Sequence, residues 1–216
     1  MNTRNTMIVV TILILAATLA GIILYPCLPE QMASHWNIND QVDDHISRFW
    51  GVFLMPLISA AMFLLFLVIP QIDPLKANIA KFREVFNLFI VLMTAFLVYL
   101  YALTLVWNLG HTGFKMSLAM LPPLGLLFIF IGTMLRKTKR NFFIGIRTPW
   151  TLSSDKVWDE THRLGAKLFI ASGMLAILGA FFGRYAFWFI MLPLLGSVLF
   201  LTVYSYVLHI RETQTK

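Results

Sequence analysis

Two stretches of this sequence hold most of the side chains that could do chemistry. The first runs from Pro26 to Arg48 and brings His35 and His45 close to Glu30, Asp40, Asp43 and Asp44. Imidazole and carboxylate together suit a divalent ion such as zinc or manganese. His35, His45, Asp40, Asp43 and Asp44 are therefore metal-ligand candidates. Their spacing matches no known ligand pattern, so a solvated acidic loop is the default and no metal is assigned. An acidic loop attracts a cationic or amphipathic peptide. Catalysis finds little support: the apolar segments carry no Ser/Lys or Ser/His pair and no paired aspartates, and H-E-x-x-H is absent. We expect neither an enzyme nor a cofactor.

The second stretch is RKTKRNFFIGIRTPWTLSSDKVWDETHRLGAK, Arg136 to Lys167, with 8 of the 17 Lys and Arg. Its front end, Arg136, Lys137, Lys139 and Arg140, reads as a topology signal that also attracts anionic lipid, at roughly 1 kcal/mol per residue. In the middle, Phe142, Phe143 and Ile144 can dip into the membrane interface. Gly145 permits an unusual backbone, and Pro149 forces Thr148 extended. From Ser153 or Ser154 a helix starts, with Asp155 in its first turn. It runs through Trp158 and His162 into the next apolar segment. Asp155, Asp159 and His162 share a face, and Asp159 with Arg163 is an i, i+4 pair. The pattern predicts a structured platform.

The elements that must position these residues are apolar helices. Hydrophobic residues make up 59% of the 216 and charged ones 12%, against roughly 45–50% and 25% in soluble domains. Six runs are long enough to cross a bilayer: about 7–25, 49–70, 86–107, 117–135, 168–183 and 186–209. The first is too long for a usual signal peptide and lacks a cleavage site, so it reads as an uncleaved helix. The last two are separated only by Gly183-Arg184-Tyr185 and form a tight hairpin. The single cysteine, Cys27, excludes an internal disulfide framework. With the N-terminus inside, 14 of the 17 Lys and Arg, Lys216 among them, fall on the inner side, as cytoplasmic loops require. The expected fold is an all-α integral membrane protein with six transmembrane helices, N-in and C-in, and a structured cytoplasmic loop between helices 4 and 5. Three regions follow: 1–70, with the acidic outer loop; 71–135, the third and fourth crossings; and 136–216. The charge serves orientation, and direct nucleic-acid binding is not expected. Residues after Pro74 suggest an amphipathic surface helix. Ser172, Ala176 and Ala180, at four-residue spacing, place the fifth crossing at the centre of the bundle.

FFIGIRTPWTLSSDKVWDETHRLGAKLFIASG resembles the signature of the SdpI family, bacterial membrane proteins that give immunity to a secreted killing peptide. The likeness is dense over about 139–173. LPEQMASHWNINDQVDD, followed by a Pro-containing helix, resembles the N-terminal domain of unknown function often found ahead of it. The resemblance implies a multi-pass protein of the bacterial cytoplasmic membrane that protects its producer from a peptide toxin and sequesters a cytoplasmic repressor. By position it implies a partner platform of Asn141, Gly145, Arg147, Thr148, Pro149, Trp150, Thr151, Trp158 and Arg163. His35, Trp36, Asn37 and Asp40 would sense the peptide outside. The alternative is a small transporter, channel or lipid-handling protein gated by the cytoplasmic loop.

Overall fold

A computed structural model describes residues 1–214; Lys216, counted above among the inner cations, lies outside them. Ten elements follow in order: α1 (Thr3–Leu24), β1 (Gln31–Trp36), β2 (Val42–Ser47), α2 (Arg48–Ile72), α3 (Lys76–Ala80), α4 (Arg83–Asn108), α5 (Met116–Leu135), α6 (Pro149–Ser153), α7 (Asp155–Gly179) and α8 (Ala186–Gln214). Five stretches are long and apolar enough to cross a membrane: Thr3–Cys27, Arg48–Ile72, Arg83–Asn108, Met116–Leu135 and Asp155–Gln214. The last contains two helices. It breaks at a 3-10 turn, Ala180–Tyr185, where Gly183 takes φ 55° and ψ −124°.

The chain is not all helical. The acidic segment forms an antiparallel hairpin in which Met32 pairs with Ile46 and Trp36 with Val42. Its turn is held by the Asn37 side chain, which accepts from Asn39 and Gln41 N–H, a local bond that favours a turn. Sequence alternation in β1 is weak, and its seat comes from afar. Asn108 on α4 accepts from Ala33 N–H at 2.7 Å and donates to Ala33 C=O at 3.0 Å. Met32, fully buried, packs over Gly51 of α2.

The helices gather in two groups. In the first, α1, α2 and α4 enclose Val10, Ile69, Phe86 and Ile90 toward one end and Ala17, Val52 and Tyr101 toward the hairpin. The segment expected as a surface helix instead makes an elbow, with Ile79 and Phe82 buried in that first cluster. In the second group α7 packs against both α5 and α8. A Cβ on Gly125 would lie 2.5 Å from Gly173 C=O, and one on Gly173 would lie 2.4 Å from Gly125 C=O. Only glycine at both positions lets the two backbones touch, the usual basis of close helix association in lipid. Ser172, Gly173, Ala176 and Gly179 of α7 are all buried, which puts this helix at the centre of the second group. Pro193 lies within α8, where the Ser197 hydroxyl donates to Pro193 C=O at 2.6 Å.

Candidate functional site

The loop from α5 to α7 is folded by its own polar groups. Asn141, fully buried, accepts from Phe143 and Ile144 N–H at 2.9 and 2.6 Å. Its amide donates to Lys139 and Ile144 C=O, both at 2.8 Å. All its donors and both acceptor sites are used, so the side chain substitutes for a ladder of backbone bonds. Thr148 caps α6 in a capping box: its hydroxyl accepts from Thr151 N–H, and Thr151 Oγ1 accepts from Thr148 N–H. Pro149 occupies the first turn, where no N–H is needed. Ser154 caps α7, accepting from Val157 N–H and donating to Glu212 of α8 at 2.6 Å.

Trp158 and His162 form the floor. Trp158 is fully buried and its indole donates to Thr138 C=O at 3.0 Å. The His162 ring stacks on it with centroids 4.0 Å apart. His162 Nε2 accepts from Ile146 N–H at 3.0 Å, and Nδ1 lies 2.8 Å from Trp158 C=O. A carbonyl only accepts and an amide N–H only donates, so the ring is neutral with its proton on Nδ1. Above it Gly145 adopts φ 118°, and a Cβ there would lie 2.4 Å from Nε2. Gly145 is thus required twice, by dihedral and by space.

Charges hold the rim, differently from expectation. Asp159 meets Lys139 at 3.4 Å, while Arg163 pairs with Glu160 one helical turn back, so the expected Asp159–Arg163 pair does not form. Arg140 donates to Asp155 at 2.7 Å and to Leu152 C=O at 2.8 Å. Two of the four front cations therefore clamp α7, and Arg136 and Lys137 lie exposed. Asp155 and Asp159 are exposed while His162 is buried, so the face they share is split between rim and floor. Ile144 is buried in the core of the first helix group, and Phe142 is 43% exposed.

Sequence reasoning missed Asp73. This buried carboxylate accepts from Leu75 N–H at 2.6 Å and Phe142 N–H at 2.9 Å. Asn78 donates to Arg140 C=O at 2.9 Å beside it. Both tie the elbow after α2 to the signature loop. An Asp directly before a Pro signals only a turn, and its distant partner leaves no local trace.

The signature residues thus divide by exposure. Asn141, Thr148, Thr151 and Trp158 are buried, and Gly145 lies against the buried imidazole. Arg147 and Pro149 face outward, and Trp150 is half-buried with its ring 5.0 Å from Tyr206. Arg147 donates to Phe142 C=O at 2.6 Å. Arg163 is also exposed.

At the opposite end, the hairpin candidates scatter. His35 Nδ1 lies 2.6 Å from Asp43, Asp44 accepts from His45 N–H, and Asp40 leaves the group to bond Ser117 at the start of α5. Among the described residues no three His, Cys, Asp or Glu are arranged to hold a metal. Asn37 is engaged in its turn, and Trp36 stands edge-on to Trp107 with centroids 5.5 Å apart.

Residues 137–205 match the SdpI/YfhL protein family, and residues 12–60 match a domain of unknown function, DUF1648. The chain is 28% identical over 202 residues to the immunity protein SdpI of Bacillus subtilis strain 168, covering 92% of this chain and 93% of that one. No solved structure matches.

Proposed function

We propose that this SdpI-family membrane protein is a non-enzymatic immunity protein that protects its cell from a secreted, membrane-active peptide. The observation that carries the reading is the likeness to an immunity protein along 92% of the chain. In this reading α1, α2, α4, α5, α7 and α8 each cross the bacterial cytoplasmic membrane, and the signature platform faces the cytoplasm, where 14 of the 17 Lys and Arg then lie. Arg136 and Lys137, exposed beside the last turn of α5, meet anionic lipid. Arg147, Pro149 and Trp150 form the docking face for a cytoplasmic repressor, because they are the signature residues near α6 that the loop leaves accessible.

The test is expression in a Bacillus subtilis strain lacking its own relative, challenged with that strain's killing peptide while membrane potential is followed with a dye. Protection of potential and viability is expected. Full depolarisation despite membrane-inserted protein rules the reading out. Arg147→Ala and Trp150→Ala should keep the protein folded and protective while abolishing repressor recruitment; retention of recruitment in both removes the docking face.

A further inference from the structure

The two helix groups are fastened by different chemistry at their two ends. At the signature end the joint is packed: Ile144 lies in the core of the first group, and Asp73 and Asn78 bond the loop beside it. At the hairpin end the groups part around a cavity of about 560 Å³. The hairpin, Leu100 and Thr104 form one wall; Met120, Leu121 and Phe187 form the other. Two side chains cross this gap. Asp40, at the turn of the hairpin, accepts from Ser117 N–H at 2.7 Å and from its hydroxyl at 2.6 Å. Tyr99 of α4 donates to Ala119 C=O at 3.0 Å. Of the two bridges that of Asp40 is the stronger, being two-pronged and charge-assisted.

The Asp40 bridge also completes α5. The first N–H groups of a helix have no partner within it, and Lys115, which precedes α5, makes no side-chain cap. The capping carboxylate comes from 77 residues away, on the other helix group. Asp40 holds φ 60° to present it, a left-handed backbone that is unfavourable for a residue with a Cβ. A hydrogen bond near water exchanges for bonds to water, whereas parting packed apolar side chains exposes area with no such exchange. The polar end is therefore the one that can open, and the packed end is the one that stays. The link from α4 to α5 does not oppose such a movement. Gly110 takes φ 95°, and a Cβ at Gly110 or Gly113 would meet nothing within 4 Å.

We infer that the two helix groups form a clamp, hinged at the signature end and latched at the hairpin end by the Asp40 carboxylate on Ser117, and that releasing this latch opens the cleft. The device does not depend on the immunity reading. It is tested with the full chain in phosphatidylglycerol–phosphatidylethanolamine nanodiscs, in a Cys27→Ser background, by the rate at which a maleimide labels Met120→Cys on the cleft wall. Asp40→Ala, which removes both bonds, should raise that rate at least about tenfold, and Ser117→Ala, which removes only the hydroxyl bond, about threefold. Asp44→Ala, on the same hairpin but bonded only to His45 N–H, should leave it within about twofold. Val52→Cys, fully buried in the core beneath the hairpin, reports unfolding and should stay unlabelled in Asp40→Ala. Should it label there, the hairpin has come apart and Ser117→Ala decides. Labelling of Met120→Cys at the wild-type rate in Asp40→Ala, or in Ser117→Ala where that variant decides, overturns the latch. An equal acceleration by Asp44→Ala overturns it too, since loss of hairpin charge would then be the cause.

Discussion

His162 is the residue on which the signature loop is threaded, and its protonation state is fixed by two backbone groups of opposite character. Adding a proton to Nε2 would remove the acceptor for Ile146 N–H and place a charge in a site only 2% exposed. His162→Leu, which fills the site but cannot accept from Ile146 N–H, should therefore lower the melting temperature of the detergent-solubilised protein at pH 7.5; an unchanged melt refutes the assignment. Gly145 makes a complementary prediction. Gly145→Ala places a Cβ against Nε2 at a positive φ and should cost about 2–3 kcal/mol, read as a lowered melting temperature at pH 7.5. The sequence showed that Gly145 and Pro149 bend this loop. It did not show that His162 fills the bend, since an imidazole 17 positions later looks like any helix-face histidine.

At the scale of elements, α5 and α7 are set by glycine. Small residues at four-residue spacing marked α7 as a packing helix in the sequence, and its buried face bears that out. The partner was not legible, because α5 is apolar all round and lipid-facing and protein-facing residues look alike there. Gly125 and Gly173 resolve it by mutual contact with each other's carbonyls. Gly173→Leu should therefore separate the helices and destabilise the fold by about 2 kcal/mol or more, measured by denaturant unfolding in mixed micelles. Gly196→Leu, at a position with open space around it, should be nearly silent. The same reasoning explains the missed hairpin. Strands of six residues cannot stand alone, and β1 and β2 depend on Asn108, 75 residues from Ala33, and on Met32 packing over Gly51. An acidic, His-containing segment between two prolines and an apolar helix gives no local sign of that support. The helix start at Ser154, by contrast, follows from capping chemistry within four residues, and it was legible.

At the scale of the molecule, sidedness is the property that composition expresses most strongly, because charge is concentrated at one end of the helices. The division into two groups with a cleft between them is not expressed, since it depends on which apolar faces meet. The proposed N-in arrangement would put the hairpin, the α7–α8 turn and Cys27 on one outer surface. Cys27 is exposed and is the chain's sole cysteine, which makes it a direct reporter. A membrane-impermeant maleimide added to intact cells should label the wild type and leave Cys27→Ser unlabelled. In the Cys27→Ser background, Arg184→Cys, at the turn before α8, should also label from outside. Ser153→Cys, exposed beside the signature platform, should label only after permeabilisation. If Arg184→Cys needs permeabilisation while Cys27 does not, α7 and α8 do not form two crossings and the chain spans the membrane fewer than six times. If the wild type needs permeabilisation and Ser153→Cys does not, the charge asymmetry has been read in the wrong sense, and the hairpin faces the cytoplasm, where a secreted peptide does not arrive.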